Sequence, residues 1–286
     1  MSWYLEDGKD SDVVVSSRIR FARNIEGIKF GRVANKEELN SVLELLKNSK
    51  VDRNLHFIKL EDLDNLMKES LVEKHIISND LLGMQSAGIL LNNNEDVVVM
   101  INEEDHLRIQ VMKAGFNLDE ALSEASKLDD KISEKVKYAY NEKYGYLTAC
   151  PTNVGTGLRA SVMLHLPALR IIGKIDKVLD VVNKVNLNVR GVYGEGSRAY
   201  GDLYQVSNKA SLGLSEEEIV NNVKGIAKKI IEQERKAREY LKSKGVEFED
   251  KIYERYTKLF PEEEQRSWAI SIWLHHFTTS IVYWRH

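Results

Sequence analysis

The 286-residue chain is short of several things, and each shortage narrows what it can be. It has one cysteine, Cys150, so no intramolecular disulfide can form and a reducing cytosol fits. Residues 1–266 contain no run of about 18 apolar residues, the length a membrane-spanning helix needs. The opening Met1-Ser2-Trp3-Tyr4-Leu5-Glu6-Asp7 lacks the basic start and apolar stretch of a signal peptide. The net charge of −3 gives no overall field favouring nucleic acid or an anionic membrane, although a local basic cluster could still bind phosphate. No glycine-rich nucleotide loop follows a strand, and strands and helices do not alternate strictly. These features argue against a doubly wound sheet and for an α+β domain with a mainly antiparallel sheet.

What is present reads as a soluble globular protein, 43% hydrophobic and 30% charged. Asp12 to Ser16 reads as a β-branched strand running into Ser17-Arg18-Ile19-Arg20. Residues 36–50 and 60–74 have helical spacing. Residues 87–91 and 96–101 form two apolar strands around Asn92-Asn93-Asn94-Glu95, which predicts an antiparallel hairpin. Asn117 with Glu120 predicts a helix cap, with the helix continuing to about Tyr140. Gly157 to Leu166 predicts a strand with Arg159, Ser161, Met163 and His165 on one face. Residues 168–186 suggest a helix and 187–192 another strand. Ser215 and Glu218 form a capping box before a helix that carries an apolar stripe from Ile219 to Ile231 and ends near Gly245.

Three groups of residues could carry chemistry. Arg18 and Arg20 lie two apart at a strand end, and Arg108, Arg159 and Arg190 lie at or beside predicted strands. Together they could clamp phosphate, because guanidinium forks pair bidentately with phosphate oxygens. Each alone is also readable as a solvated surface charge. Asn102-Glu103-Glu104-Asp105-His106 follows an apolar strand and is either a carboxylate site for a cation or a charged turn. Cys150 precedes the Gly- and Thr-rich Pro151-Thr152-Asn153-Val154-Gly155-Thr156-Gly157, either as a reactive thiolate or as an inert buried thiol.

These segments, taken in order, resemble the ATP:guanido phosphotransferase (phosphagen kinase) family. The resemblance rests on Ser16-Ser17-Arg18-Ile19-Arg20, on Asn102 to Arg108, on Cys150 to Ser161, and on Arg190-Gly191-Val192-Tyr193-Gly194-Glu195, and runs over roughly residues 10–245. Only about fifteen residues precede the Ser-Ser-Arg-x-Arg strand. Gly191 to Ser197 and Val72 to Ser78 are most similar to the bacterial protein-arginine kinases of that family. The resemblance implies a large antiparallel sheet flanked by helices, ATP and Mg²⁺ as cofactors, and ATP:protein-arginine N-phosphotransferase activity in the cytoplasm, linked to stress response. It implies that Arg18, Arg20, Arg108, Arg159 and Arg190 hold the ATP phosphates and that His75 lies against the nucleotide. It places Ser17, Ala160, Ser161 and Glu195 in the nucleotide-binding segments. Glu104 and Glu195 would grip the substrate guanidinium, with Glu103 and Cys150 beside it. No protein side chain is expected to ligate a metal directly.

The implied partners are arginine-bearing protein substrates, such as a heat-shock repressor and Clp protease substrates, together with an activator protein. No nucleic acid or membrane is implied. The catalytic domain is expected over 1–250, with a divergent tail over 251–286. After about Tyr256 the resemblance stops. Residues 267–284 then carry no Asp, Glu, Lys or Arg but hold Trp268, Trp273 and Trp284. This tail reads as a truncated or frameshifted ending, with a lineage-specific ending as the alternative. It leaves open the dimerisation that the family associates with a further C-terminal domain. Two other functional readings stand beside protein-arginine kinase: a small-molecule guanidino kinase, and a catalytically inactive fragment.

Overall fold

A computed structural model describes residues 6–191 and 200–244. Its centre is an eight-stranded, wholly antiparallel sheet. In chain order the strands are β1 (Val14–Arg23), β2 (Leu55–Lys59), β3 (Gly88–Asn92), β4 (Val97–Ile101), β5 (Leu107–Ala114), β8 (Leu158–His165), β9 (Leu187–Gly191) and β10 (Leu203–Asn208). A separate hairpin supplies β6 (Tyr140–Asn141) and β7 (Gly145–Tyr146). In space the large sheet runs β2-β3-β4-β5-β1-β8-β10-β9, so the first strand lies in the middle. The helices are α1 (Lys36–Ser49), α2 (Asn65–Glu73), α3 (Asn79–Leu82), α4 (Leu118–Ser133), α5 (Pro167–Ile171), α6 (Ile175–Lys184) and α7 (Glu216–Ser243).

Strand alternation divides the sheet into two faces. Ile19 and Phe21 of β1, Ile109 and Val111 of β5, and Ala160, Val162 and Leu164 of β8 point to one side. There they join Val42, Leu46, Ala121, Ala125, Val223 and Ile230 from α1, α4 and α7 in the main core. Among the described residues, the other face is covered at one end. Ile76, Ile77 and Leu81, from α3 and the segment before it, cover Ile89, Leu91, Val98 and Met100 of β3 and β4 in a second, smaller core. Beyond that cover, the same face of β5, β1 and β8 presents Arg108, Arg18, Arg20 and Arg159. The hydrophobic pattern therefore leaves one polar shelf in the middle of the sheet.

A buried ion pair joins sheet, helix and loop. Arg23, at the end of β1 and 1% exposed, donates from Nε and Nη2 to the Asp129 carboxylate of α4 at 2.6–3.2 Å. Its Nη1 donates to the carbonyls of Ala22 (3.0 Å) and Thr156 (2.8 Å). The guanidinium lies 3.6 Å from the Tyr146 ring centroid. Gly157 must be glycine here: its φ is +67°, and a Cβ would sit 2.5 Å from Arg23 Nη1. A second buried carboxylate, Glu234 of α7, accepts the N–H groups of Ala168 and Leu169 at 3.0 Å each, serving the first turn of α5.

The hairpin at Asn92–Glu95 forms as the sequence predicts, with Leu90 opposite Val99. The capping box of Ser215 and Glu218 is present. Four expectations need correction. Asn117 stands at the start of α4, but its side chain donates to the Ala114 carbonyl (2.7 Å) and does not cap the helix. That helix ends at Ser133, before the β6–β7 hairpin, and not near Tyr140. The stretch 168–186 is two helices, broken at Gly173, whose φ is +67°. The stretch 60–74 begins with a 3-10 turn over Leu60–Asp62, and α2 starts only at Asn65. β2 and β10, for which the sequence gives no clear signal, both pair fully into the sheet. The tail call over 251–286 lies outside the described residues. Among the described residues no helix is long and apolar enough to cross a membrane.

Breaking a buried pair from one side strands the other charge, a loss of about 3–5 kcal/mol. Asp129→Ala is therefore expected to lower the unfolding free energy by about that amount in urea titration, with little change in slope. Replacing Arg23 and Asp129 together by Met and Leu should recover most of it. A single variant within about 1 kcal/mol of wild type would contradict the pair's central role.

Candidate active site

The polar shelf is a row of like charges fixed by strand register. Arg20 stands directly opposite Arg159 across the β1–β8 pair, and Arg18 opposite Ser161. Arg108 lies on the other side of β1, opposite Ala22. Arg190, on the far strand β9, is opposite Gln205 of β10. Like charges directly across an antiparallel pair are destabilising. The crowding is visible in the ionisation: Arg18 is pushed down to about 9 by burial and by Arg108 and Arg159. Arg20 is pushed well below its ordinary value, by burial first and then by Arg108, Arg18 and Arg159. Among the described residues, two of the row's partners are hydroxyls. Arg18 Nε lies 3.5 Å from Ser161 Oγ, and Arg159 Nη2 donates to Ser207 Oγ at 3.1 Å. Such a row suits a ligand with several negative charges.

The acidic turn after β4 faces this row. Asn102, with φ +60°, anchors it by donating from Nδ2 to the carbonyls of Leu39 (2.9 Å) and Ser86 (2.8 Å). The turn closes through Asn102 N–H to His106 O (2.9 Å) and Glu103 N–H to Asp105 O (3.1 Å). Glu103, 3% exposed, turns inward. It pairs with Arg108 and accepts the Ser78 hydroxyl (2.5 Å) and the Glu104 N–H (3.0 Å). Burial alone would raise the Glu103 carboxyl. Arg108, Ser78, the Glu104 amide and Arg20 outweigh it and hold the group below the usual carboxylate range. Glu104 is exposed and is pushed the opposite way, by partial burial, then by Asp105 and Glu103. Two adjacent carboxylates are thus driven apart, one kept as a fixed anion and the other poised to take a proton.

Asp105 and His106 tie the turn to the rest of the site. Asp105 Oδ1 accepts from Asn24 Nδ2 and from the Ala149 N–H, both at 2.6 Å. His106 Nδ1 accepts the Ile25 N–H (3.0 Å), so its Nε2 carries the proton donated to the Lys29 carbonyl (2.9 Å). Next to Ala149, Cys150 is half-buried, with Sγ 3.0 Å from Thr152 Oγ1.

A cavity of about 330 Å³ brings together Arg20, Arg108, Arg159 and Arg190 with Glu103, Glu104 and Cys150. Arg18 and Ser161 sit one step further along the same sheet face. His75, with φ +57°, lies near Arg18 and Arg20. Its carbonyl accepts from Gln110 (2.9 Å), and burial, then those two arginines, push its imidazole down to about 3. Ser17 and Ala160 are not brought to the cavity: strand alternation turns both side chains to the opposite face. Ser17 Oγ donates there to the Gly115 carbonyl (2.8 Å) and accepts the Asn117 N–H (2.9 Å). Glu195 lies outside the described residues. Sequence reasoning singled out Asp105 only as part of the acidic turn and passed over Ser78, Asn24, Gln110 and Ser207. Ser207 lies on β10, which shows no clear alternation, and the Asn24–Asp105 pair spans 81 positions and leaves no local signal.

Comparison with known proteins agrees with this arrangement. The family model described as "ATP:guanido phosphotransferase, C-terminal catalytic domain" matches residues 37–237. A protein-arginine kinase of Bacillus cereus (strain AH187) is 46% identical over 261 residues, covering 89% of this chain and 74% of its own. A protein-arginine kinase of Bacillus anthracis is 45% identical over the same length. Among solved structures, lombricine kinase superposes with a TM-score of 0.71 at 28% identity, over 88% of this chain and 74% of its own. The duplicated taurocyamine kinase of Schistosoma mansoni, bound to transition-state analogue components, gives 0.72 at 28% identity, over 80% of this chain and 34% of its own. The sheet, the arginine row facing a carboxylate turn, and these matches make the chain a member of the ATP:guanido phosphotransferase family, carrying its catalytic domain.

Proposed function

We propose that the chain is a protein-arginine kinase that transfers the γ-phosphoryl group of ATP to arginine side chains of proteins. One observation carries the reading: a single cavity gathers arginines of four different strands or strand ends together with Glu103, Glu104 and Cys150. A polyphosphate suits the arginines and a guanidinium the carboxylates. The Bacillus relatives, named for protein-arginine kinase activity, favour a protein substrate over a small metabolite.

The chemistry follows from the charges. A guanidinium is protonated at neutral pH and is a poor nucleophile until a proton leaves. Glu104, exposed and pushed toward holding a proton, is placed to orient that group and accept the proton as the nitrogen attacks. Glu195 is assigned the companion role by family resemblance. Glu103 keeps Arg108 aimed at the phosphates. The phosphoryl group passes in line from ADP oxygen to guanidino nitrogen: the P–N bond forms as the P–O bond breaks. Arg18, Arg20, Arg108, Arg159 and Arg190 stabilise the charge spread over its oxygens. Cys150 acts beside the guanidinium, and no phospho-enzyme forms. Magnesium would be held by the nucleotide's own phosphates, which the arginine row binds, and would supply further charge neutralisation. We assign this unit to residues 1–250 and place it in the cytoplasm.

Four outcomes test this reading. Incubation with Mg-ATP and an arginine-rich protein such as casein, kept near neutral pH, should yield phosphoarginine by mass spectrometry. Glu104→Ala and Glu195→Ala should abolish it while ATP affinity changes little; loss of ATP binding in either would contradict a role at the guanidinium. Arg159→Ala should weaken ATP binding about 10- to 100-fold, the worth of a charged hydrogen bond to phosphate, as read by calorimetry. For pH, a raised Glu104 carboxyl protonates at higher pH than an ordinary one, so kcat/KM should fall on the acid side above the usual carboxylate range. The limb in kcat should lie lower, because a bound guanidinium draws the proton off. Glu104→Gln should remove the limb from its residual activity.

A further inference from the structure

The cavity beneath the arginines does not end at Glu104. A second cavity of about 500 Å³ shares Glu103, Glu104 and Arg108 with it and is walled by Phe30, Val33, Asp80 and Met84. A third, of about 580 Å³, takes over at Asp80 and Met84 and runs past Lys36 and Gln85. Phosphates are served by the arginine row, and a guanidinium is held at Glu104, so neither extension is needed for those groups. An arginine whose guanidinium reaches Glu104 must instead carry its backbone out through this trough.

Both walls are built onto the acidic turn. On one side, Ser78 starts α3 by accepting the Leu81 N–H (3.3 Å) and donates its hydroxyl to Glu103 (2.5 Å), which fixes Asp80 and Met84 relative to Glu104. On the other, Gly31 (φ +48°) lies so close that a Cβ would sit 2.4 Å from the Glu104 carbonyl. Phe30 stands edge-on to the His106 ring, 6.0 Å between centroids. Next to these fixed parts, Val33 is 78% exposed, Asp80 is exposed, and Met84 is half-buried. An apolar side chain left in water beside an uncovered carboxylate suits a chain segment that brings both an apolar and a cationic group.

We propose that this trough is the subsite for the polypeptide flanking the target arginine, with Phe30, Val33 and Met84 taking an apolar neighbour and Asp80 a cationic one. The inference rests on the kinase reading above and names its substrate class more closely: arginines with a second basic residue beside them. Asp80 is then a specificity-determining residue and takes no part in the phosphoryl transfer.

The test uses three synthetic peptides that differ only beside a single arginine, with Lys, Leu or Glu at that place. Their binding is read by fluorescence anisotropy without ATP, and their phosphorylation by mass spectrometry. Wild type should favour the Lys peptide over the Leu peptide about three- to fivefold in Kd and KM, the worth of a partly exposed ion pair, with kcat unchanged. Asp80→Asn should bring that ratio close to one while leaving KM for ATP and the melting temperature unchanged. Asp80→Lys should turn the preference toward the Glu peptide, which a purely structural role for Asp80 could not do. An Asp80→Asn protein that keeps the wild-type preference overturns the subsite. Peptide binding with the expected preference but no phosphoarginine would overturn the kinase reading and leave the subsite standing. Equal binding of all three peptides with normal phosphorylation would do the reverse.

Discussion

The arrangement depends on one guanidinium that takes no part in catalysis. Arg23 is buried between the sheet and α4, and it meets a carboxylate, two carbonyls and three aromatic rings. Burying a charge is costly unless it is paired and hydrogen-bonded, and here both conditions are met. The carbonyl of Thr156 is one of its partners, so the pair that locks a helix to the sheet also sets the loop descending from Cys150. Arg20 and Arg18, three and five places before it in the chain, point the other way, into the polar shelf. One strand thus carries an arginine that is satisfied inside and arginines crowded together outside.

That contrast defines the site. In the core Arg23 has Asp129 and Glu234 has Arg238; on the shelf, among the described residues, the arginines face one another, the Ser161 and Ser207 hydroxyls and the buried carboxylate of Glu103. Glu103 and Glu104 follow the same division at the scale of two residues. One is committed to Arg108 and Ser78, and the other is left to the solvent side. A turn whose ends are sealed by Asn102 and His106 can hold neighbouring carboxylates in such unlike surroundings without averaging them.

Much of this was readable in the sequence because period-two patterns are strong in a large antiparallel sheet. The β-branched start of β1, the Asn-rich turn between β3 and β4, and the spacing of Arg18 and Arg20 all carry their own geometry. The same rule, applied to every residue of a motif, separates Ser17 and Ala160 from their neighbours. A motif taken whole does not make that distinction. Other features had no local signal. β2 is half-exposed along its length, and β10 is buried on nearly every residue, so neither shows the alternation that marks a strand. The unlike fates of Glu103 and Glu104 depend on Ser78 and Arg108, which only the fold brings alongside. The break at Gly173 and the end of α4 at Ser133 needed backbone geometry that helical spacing does not encode.

The arginine row also bears on how the chain finds its fold. In an antiparallel sheet a one-residue slip sends every side chain to the other face. For β1 or β8 such a slip would drive Arg18, Arg20 or Arg159 among Ile109, Val162 and the helices, into a mainly apolar layer. An apolar strand of the same length could tolerate the wrong alignment far better. The residues that crowd the shelf and weaken the finished sheet therefore disfavour any odd-numbered slip during its assembly, since each such slip would take them off the polar face.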